Sequence, residues 1–285
     1  MALQIRQAVT GDAPECGRIC HDAFAAIADE HNFPHDFPSV DVAIGLLSGM
    51  IVHPGFFGVV AEDDGQILGS NFLDERSVIP GVGPITVDPE VQNRRVGLAL
   101  MNAVLERCAG QRAPGVRLLQ SAYHNRSMSL YAKLGFDVRE PFATMQGKPL
   151  ALAVPGCTVR PATGADVQAC NALCVRVHGH DRGGEVVDAV AQGAAKVVER
   201  HGRITGYTTG IAFFAHSIGE ANDDLIALIG AAEEFGGPGF LVPMRNTELL
   251  RWCLMHDLRV VHMMNLMTIG LYQEPRGAFL ASVSY

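Results

Sequence analysis

The sequence predicts an α/β protein built of two similar units, each a mixed, mostly antiparallel twisted sheet flanked by helices. Over residues 1–147, strand and helix patterns follow one another in the order β-α-α-β-β-β-α-β-α-β. The later half of the chain repeats features of this first half. A chain of 285 residues with 48% hydrophobic and 18% charged side chains is also long and apolar enough for two packed domains.

The repeat is clearest near the start of each half, where a set of residues recurs 154 positions later (160 − 6). The set pairs Ile5, Arg6, Ala8, Asp12, Cys16 and Cys20 with Val159, Arg160, Ala162, Asp166, Cys170 and Cys174. The segment QGKPLALAVPGC, which holds two prolines and two glycines, separates the copies. We therefore expect domains over residues 1–150 and 157–285, with the boundary near Pro155.

The elements of the first half follow from periodicity and turn residues. Thr10 and Asp12 can cap a helix after the first strand, and Asp63-Asp64-Gly65 joins two β-rich runs into a hairpin. In order, the predicted elements are LQIRQAV (strand), residues 13–27 (helix), HNFPHDFPSV (loop), VDVAIGLLSGMI (helix), FFGVVAEDDGQILGSNFLDE (hairpin), GVGPITV (strand), residues 96–105 (helix), GVRLLQSAY (strand), NRSMSLYAKLG (helix) and FDVREPFATMQG (strand).

The stretch ITVDPEVQNRRVGLALM, residues 85–101, joins a β-branched strand to a largely apolar helix that begins between Gln92 and Arg95. The first N–H groups of a helix have no intrahelical partner, and the helix dipole is positive at that end. With Arg94 and Arg95 beside them, these groups predict a site for a polyanion such as a phosphate. Gly97 would let a ligand approach the backbone closely.

This stretch resembles the pyrophosphate loop of the GNAT superfamily of acyl-CoA-dependent N-acetyltransferases, which reads V-x-P-x-x-Q/R-x-x-G-x-G/A. Val87, Pro89, Gln92 and Gly97 match the pattern, whereas Arg95 stands at its first glycine.

A second family motif, N-x-x-A/S-x-x-x-Y-x-x-x-G-F, is similar to NRSMSLYAKLGF. Asn125, Tyr131, Gly135 and Phe136 match it, and Ser129 is shifted by one place. The resemblance covers residues 1 to about 147 and is much weaker beyond.

The resemblance implies two tandem GNAT-like domains and acetyl-CoA as the acyl-donor substrate. The pantetheine arm would lie where the fourth and fifth strands splay apart, Asn125 would contact it, and Tyr131 would protonate the leaving sulfur. A backbone N–H near Val87 would polarise the carbonyl. The implied cofactor-binding residues are Ile85, Thr86, Val87, Gln92, Asn93, Arg94, Arg95, Val96, Gly97, Leu98, Ala99, Asn125, Ser129 and Tyr131.

The group that takes the acceptor's proton is not fixed by the motifs, because the strand from Gly83 to Val87 contains no acid. Glu75, beside Asp74 at the end of the third strand, is the preferred candidate and His124 its competitor. The loop HNFPHDFPSV lies near where GNAT enzymes admit the acceptor. Its candidate substrate contacts are His31, His35, Asp36 and Phe37.

The second half lacks the motif where its pyrophosphate loop should be. The segment GIAFFAHSIGEANDDLIALIGAAEEF has no lysine or arginine, and four of its acids, Asp223, Asp224, Glu233 and Glu234, would repel phosphate. We therefore expect this half not to bind CoA and to shape the acceptor cleft.

The C-terminal tail, LYQEPRGAFLASVSY, follows what we assign as the last strand of the second half, RVVHMMNLMTIG. Phe279, Leu280, Val283 and Tyr285 should pack, because the tail is too apolar to lie free in water. Two interpretations stay open. The tail seals the second sheet, or its terminal carboxylate reaches the first cleft as a base, as the resemblance to some tandem members implies.

Composition restricts the function classes. The net charge of −8 argues against a nucleic-acid surface, and no run approaches the ~20 apolar residues of a membrane span. Seven cysteines without a C-x-x-C pair predict reduced, buried thiols and no metal site, and the N-terminus predicts a cytoplasmic protein. A homodimer is compatible with the sequence.

The predicted activity is transfer of an acetyl group from acetyl-CoA to a primary amine of a small molecule or peptide. The alternative is a CoA-binding or ligand-sensing protein of the same fold that has lost turnover, which Arg95 and the missing strand acid would permit.

Overall fold

The computed structural model of the protein describes residues 3–92 and 94–284. Asn93, a predicted cofactor contact, and Tyr285, the last residue of the tail, lie outside the described residues. The first half contains β1 (Gln4–Gln7), α1 (Ala13–His31), α2 (Val40–Val52), β2 (Phe56–Asp63), β3 (Gln66–Asp74), β4 (Gly81–Val87), α3 (Val96–Gly110), β5 (Gly115–Ser121), α4 (Asn125–Lys133) and β6 (Asp137–Gln146).

The second half repeats this order with shorter elements. It contains β7 (Thr158–Pro161), α5 (Val167–His178), α6 (Gly183–Ala191), β8 (Lys196–Arg200), β9 (Arg203–Thr208), β10 (Ser217–Gly219), α7 (Asn222–Gly230), β11 (Phe240–Pro243), α8 (Thr247–Met255), β12 (Arg259–Gly270) and β13 (Ala278–Leu280). The prediction of an α/β fold with mostly antiparallel sheets flanked by helices is confirmed.

The sequence repeat corresponds to a repeated ion pair. Arg6 donates to both carboxylate oxygens of Asp12 at 2.7 and 2.9 Å, and Arg160 donates to both oxygens of Asp166 at 2.8 Å. In each copy the aspartate also accepts from the backbone N–H three residues earlier, at the start of the first helix. The arginine holds the pKa of each aspartate below its usual range. The pair fixes the first strand of each half to its first helix.

The two sheets do not follow the sequence boundary. The larger sheet has the strand order β1-β2-β3-β4-β5-β12-β6-β11, and the smaller has the order β13-β10-β9-β8-β7. We had assigned β12 to the second half, yet it lies between β5 and β6, antiparallel to both. In return, β6 pairs with β11 of the second half. The domain boundary near Pro155 stays a prediction, because strands of both halves share the larger sheet.

The fourth and fifth strands diverge, as the resemblance implied. The described pairing between β4 and β5 is the single parallel pair of Gly81 with Arg117, whereas β3 pairs with β4 as far as Val87. A β-bulge lies in the same region, because β4 has one more residue than β3 between Val82 and Ile85. The carboxyl ends of β4 and β5 therefore stand apart and leave an opening.

The cores of the first half lie on both faces of its sheet. Helix α3 packs Leu100, Met101 and Val104 against one face, and α1 and α2 pack Ile19 and Leu47 against the other. All seven cysteines are free thiols, and six of them are buried. In the part of the chain that the structure describes, no helix is long and apolar enough to cross a membrane.

The exchange of β6 and β12 predicts that the two halves depend on each other for folding. A protein ending at residue 150 leaves the edge of β5 and both edges of β6 without partners, and exposed edges promote aggregation. We expect residues 1–150 alone to lose the cooperative thermal transition of the full chain, measured by circular dichroism. A soluble fragment with a cooperative transition near that of the full chain would contradict this prediction.

Candidate active site

The opening between β4 and β5 leads into a cavity of about 980 Å³. Its walls come from α1 and the loop after it, from β4 and β5, from the starts of α3 and α4, and from loops of the second half. The cavity thus joins the predicted polyanion site to the predicted acceptor loop. Both regions belong to one continuous surface.

The backbone at the start of α3 adopts a conformation that glycine favours, at the position where the family motif has its first glycine. Arg95 is the residue before the helix, with φ 63° and ψ 12°, in the left-handed region that favours glycine. A side chain there costs on the order of 1 kcal/mol, and such strain persists where the surrounding structure imposes it. The arginine has therefore replaced the glycine without changing the course of the loop. The next residue, Val96, is buried and fixes the first helical turn.

Gly97 lies in this first turn, at the cavity wall. A Cβ placed on Gly97 would meet its nearest neighbours, Leu130 and Val87, at 3.7 Å, which is ordinary contact. Its φ is not in the left-handed region. Neither packing nor backbone conformation requires glycine at this position. The missing side chain therefore leaves space for a ligand in the cavity.

Tyr131, on α4, presents its ring to the cavity and is otherwise buried, with 7% exposure. Its ring meets Phe136 edge-on, with centroids 6.1 Å apart. No described residue forms a hydrogen bond with its hydroxyl. Burial raises the pKa of Tyr131 well above its usual value, so the phenol keeps its proton near neutral pH.

His124 precedes α4 and also lines the cavity. Burial, with Arg126 and His31 nearby, lowers the pKa of the His124 imidazole. The ring is therefore neutral near pH 7 and can accept a proton.

Asp36 lines the cavity from the loop after α1. Its Oδ1 is buried and has no hydrogen-bond partner among the described residues. Burial raises the pKa of Asp36 to about 6, and nearby His35 opposes the shift.

The C-terminal segment forms part of the wall, through Val283 and Ser284. The N–H of Val283 donates to the carbonyl of Phe213 at 2.8 Å. A Cβ on Gly81 would overlap the carbonyl oxygen of Ser284, so the tail lies directly against the start of β4. Ser282 anchors it, because its Oγ accepts from Nη2 of buried Arg182 at 2.9 Å. The terminal carboxylate proposed as a base belongs to Tyr285, outside the described residues.

The structure brings most of the predicted site residues to this cavity. Those that line it are Ile85, Thr86, Val87, Gln92, Arg95, Val96, Gly97, Leu98, His124, Asn125, Tyr131, His31, Asp36 and Phe37. Ser129 lines a smaller adjoining pocket of about 370 Å³, together with Asn125. Three other predicted contacts, Arg94, Ala99 and His35, are not part of the cavity wall.

Glu75, our preferred base, has to be corrected. Its carboxylate accepts two hydrogen bonds from Arg107 of α3, at 2.8 and 2.9 Å, and it does not line the cavity. The strand β3 ends at Asp74, and the chain then turns toward the far end of α3. Asp74 is likewise paired, with Arg76.

The sequence led us to expect that the second half shapes the acceptor cleft, but it did not show which of its residues line the cavity. The residues concerned are Phe213, Phe214, Pro238, Met264, Val283 and Ser284. No local motif marks them. The strongest available signal was the apolar tail, which predicted that Val283 packs.

The chain resembles known proteins in sequence and in fold. Residues 54–138 match the family model of the acetyltransferase (GNAT) domain. The first half of the chain carries a GNAT acetyltransferase domain. Proteins of curated function give no match to the sequence.

Solved structures extend the similarity in fold to the whole chain. A Pyrococcus horikoshii protein, described provisionally as an acetyltransferase, has 17% identity and a TM-score of 0.77 over 99% of this chain and 94% of its own. A GCN5-related N-acetyltransferase from Sphaerobacter thermophilus has 17% identity and a TM-score of 0.64, covering 95% and 96%. A tandem GNAT protein from the clavulanic acid biosynthesis pathway has 14% identity and a TM-score of 0.58, covering 94% and 98%. At these identities the similarity shows a tandem GNAT fold.

In the second unit, the helix that corresponds to α3 is α7, and its start is capped by a side chain. At the start of α7, the carboxylate of Asp224 accepts from the N–H of Ala221 at 3.0 Å and from Thr205 Oγ1 at 2.6 Å. Arg200 also pairs with it at 3.0 Å, and Asp224 is completely buried. A carboxylate of the chain itself thus accepts a hydrogen bond from the backbone at the start of this helix.

Gly97 gives a test in which stability and binding change in opposite directions. Gly97→Ala should raise the melting temperature of the GNAT domain, since alanine favours a helix over glycine by about 1 kcal/mol. It should weaken CoA about tenfold, because the new methyl group projects into the cavity wall. Thermal unfolding and calorimetric titration with CoA measure the two effects.

Gly110→Ala is the matched control, at the other end of the same helix and with open space around it. It should leave CoA affinity unchanged. Full CoA affinity in Gly97→Ala would show that no ligand approaches this part of the wall.

Proposed function

We propose that the protein transfers an acetyl group from acetyl-CoA to a primary amine. The observation that carries the proposal is one continuous cavity. It is lined by the N-terminus of α3, the diverging ends of β4 and β5, Tyr131 and the loop after α1. The family match supports acyltransferase activity. The family match does not specify the acetyl donor or the amine acceptor, and our proposal adds both.

In this proposal the pyrophosphate of CoA binds at the start of α3. The left-handed conformation at Arg95 turns the chain into the helix, and Gly97 leaves the backbone accessible. Basic side chains of the wall add charge complementarity. They are Arg95, Arg126 and Lys133. Arg126 also donates to Gln92 Oε1 at 2.8 Å, which links the loop to α4.

The pantetheine arm and thioester would then lie in the opening between β4 and β5. A strand edge without a partner offers backbone N–H groups, and these are the donors that stabilise the oxyanion of an acyl-transfer intermediate.

The reaction needs three proton transfers. The acceptor ammonium first loses a proton, and we assign this step to neutral His124, with the terminal carboxylate as the alternative that the sequence leaves open. The amine nitrogen then bonds to the acetyl carbon, and the bond from carbon to sulfur breaks. Tyr131 gives its proton to the departing thiolate and regains one from the nitrogen, so the products are the amide and the free thiol.

The second half would not bind CoA and would complete the acceptor end of the cavity. Asp224 supports this part of the proposal, because its charge already occupies the start of α7. Phe213, Phe214 and the tail support it as well, because they line the cavity of the first half.

Thiol release tests the proposed activity. The full chain is incubated with acetyl-CoA and a panel of primary amines, and free thiol is followed with a chromogenic disulfide. We expect amine-dependent release and an acetylated product by mass spectrometry. Tight CoA binding without release for any amine would favour the ligand-sensing alternative instead.

Tyr131→Phe tests the proton donor. Phenylalanine keeps the ring and its contact with Phe136 but removes the hydroxyl proton. Turnover should fall about 10²- to 10⁴-fold, with the dissociation constant of CoA nearly unchanged.

Phe136→Leu is the control for this substitution, since it disturbs the same ring contact and keeps the hydroxyl. A full rate in Tyr131→Phe would return Tyr131 to a purely packing role.

A further inference from the structure

The most unusual charged group of the cavity is Asp36. Its Oδ1 is buried and receives no hydrogen bond from any described residue, although the side chain lies in the cavity wall. A carboxylate removed from water without a partner is unfavourable. An occupant of the cavity that donates hydrogen bonds or carries a positive charge would offset that cost.

The walls around this carboxylate are apolar and aromatic. Phe24 and Phe37 meet edge to face, with ring centroids 5.7 Å apart, and both line the cavity. Phe213 and Phe214 reach it from the second half, with their ring centroids 5.8 Å apart. Phe214 remains 38% exposed, which is unusual for so large an apolar side chain beside a cavity. Such rings bury the body of an apolar ligand, and their faces also attract cations.

The other charged residues of the cavity wall favour an occupant that carries only one positive group. Glu30 is the second acidic residue of the described wall, and it is exposed to solvent. The basic residues, Arg95, Arg126 and Lys133, come from the loop before α3 and from α4. Among the described residues, the one charged neighbour that acts on the carboxyl of Asp36 is His35.

We propose that Asp36 binds the ammonium group of the acceptor, and that the acceptor is a monoamine with an aromatic or alkyl body. The inference rests on the proposed acyl transfer in the same cavity and specifies its substrate class. Asp36, half-buried in the cavity wall, provides a negative charge for the ammonium, and the four phenylalanines of the wall contact the apolar body. A diamine would bring a second charge into this apolar environment, at a cost in desolvation.

The test compares Asp36→Asn with the wild-type protein, both saturated with CoA. Calorimetry measures the binding of phenethylamine, hexylamine and 1,4-diaminobutane, and the thiol assay measures their acetylation. We expect phenethylamine to bind about 10- to 100-fold more weakly to Asp36→Asn, the loss of one charge-assisted contact. CoA affinity should stay within twofold. Wild-type protein should prefer hexylamine to the diamine by at least tenfold.

Two controls separate a binding role from a structural one. Asp41→Asn makes the same charge change on an exposed residue of α2 outside the cavity wall and should behave as wild type. The second control changes the ligand. 2-Phenylethanol, which has the same body without the charge, should bind wild-type protein at least tenfold more weakly than phenethylamine, and this comparison needs no folded variant.

Stability gives an independent signature. The folded state raises the pKa of Asp36 above its unfolded value, so protonation favours folding and the charged form opposes it. This contribution is fully present at pH below the unfolded pKa of about 3.9 and is lost as the pH rises through about 6. At pH 7.5, Asp36→Asn should therefore melt at the same or a higher temperature than wild type.

The outcomes distinguish the two proposals. Equal binding of phenethylamine to wild type and Asp36→Asn, or equal binding of amine and alcohol to wild type, overturns the role of Asp36. If thiol release also continues at the wild-type rate in Asp36→Asn, acyl transfer stands without it. If the amine binds through Asp36 and no thiol is released, the amine site stands and the catalytic proposal fails.

Discussion

The pairing of β6 with β12 is the interaction on which the rest of the molecule depends. These two strands are antiparallel neighbours from Arg259 opposite Gln146 to Thr268 opposite Asp137. Each also pairs with the fifth strand of the other half, β5 with β12 and β11 with β6. The exchange is nearly symmetric, and it brings strands of both halves into one eight-stranded sheet, while the five-stranded sheet belongs to the second half alone.

This pairing explains how residues of the second half come to line the cavity that opens in the first half. Once β12 is fixed beside β5, the chain that follows has to return across the opening between β4 and β5. Strand β13 pairs with β10, and Ser282 is tied to buried Arg182, which itself donates to both carboxylate oxygens of Glu185 at 2.6 and 2.8 Å. Val283 and Ser284 then form cavity wall. The second copy has the same order of elements as the first. At the start of its helix α7, the carboxylate of Asp224 accepts a hydrogen bond from the backbone.

Two unfavourable local features lie at the same cavity. Arg95 holds a left-handed backbone that glycine would adopt without strain, and Asp36 holds a carboxylate in a desolvated position. Each lowers the stability of the free protein, and at Asp36 the neighbouring His35 offsets only part of the cost. Unfavourable features of this kind gather where a ligand supplies the missing interaction. Their coincidence in one cavity is a physical argument for a binding site, independent of any sequence motif.

Much of the fold could be predicted from the sequence, because short-range patterns carry it. The strand, turn and helix of residues 85–101, and Tyr131 on its helix, follow from periodicity, turn residues and the two motifs. The position of β12 could not be predicted, since an apolar strand pattern does not specify its partner. Glu75 was wrong for a related reason, because the sequence does not show that Arg107, 32 residues away, approaches it. The loop residue Asp36 was named as a contact, but the sequence does not show that its Oδ1 is buried without a hydrogen-bond partner among the described residues.

The most direct test of this account is a crystal structure of the full chain with acetyl-CoA. The account predicts the pyrophosphate at the N-terminus of α3, the thioester carbonyl in the opening between β4 and β5, and the sulfur within hydrogen-bond distance of the Tyr131 hydroxyl. The acetyl group would point toward Asp36 and the phenylalanines. A cofactor bound at the start of α7, or one that leaves the opening between β4 and β5 empty, would contradict it.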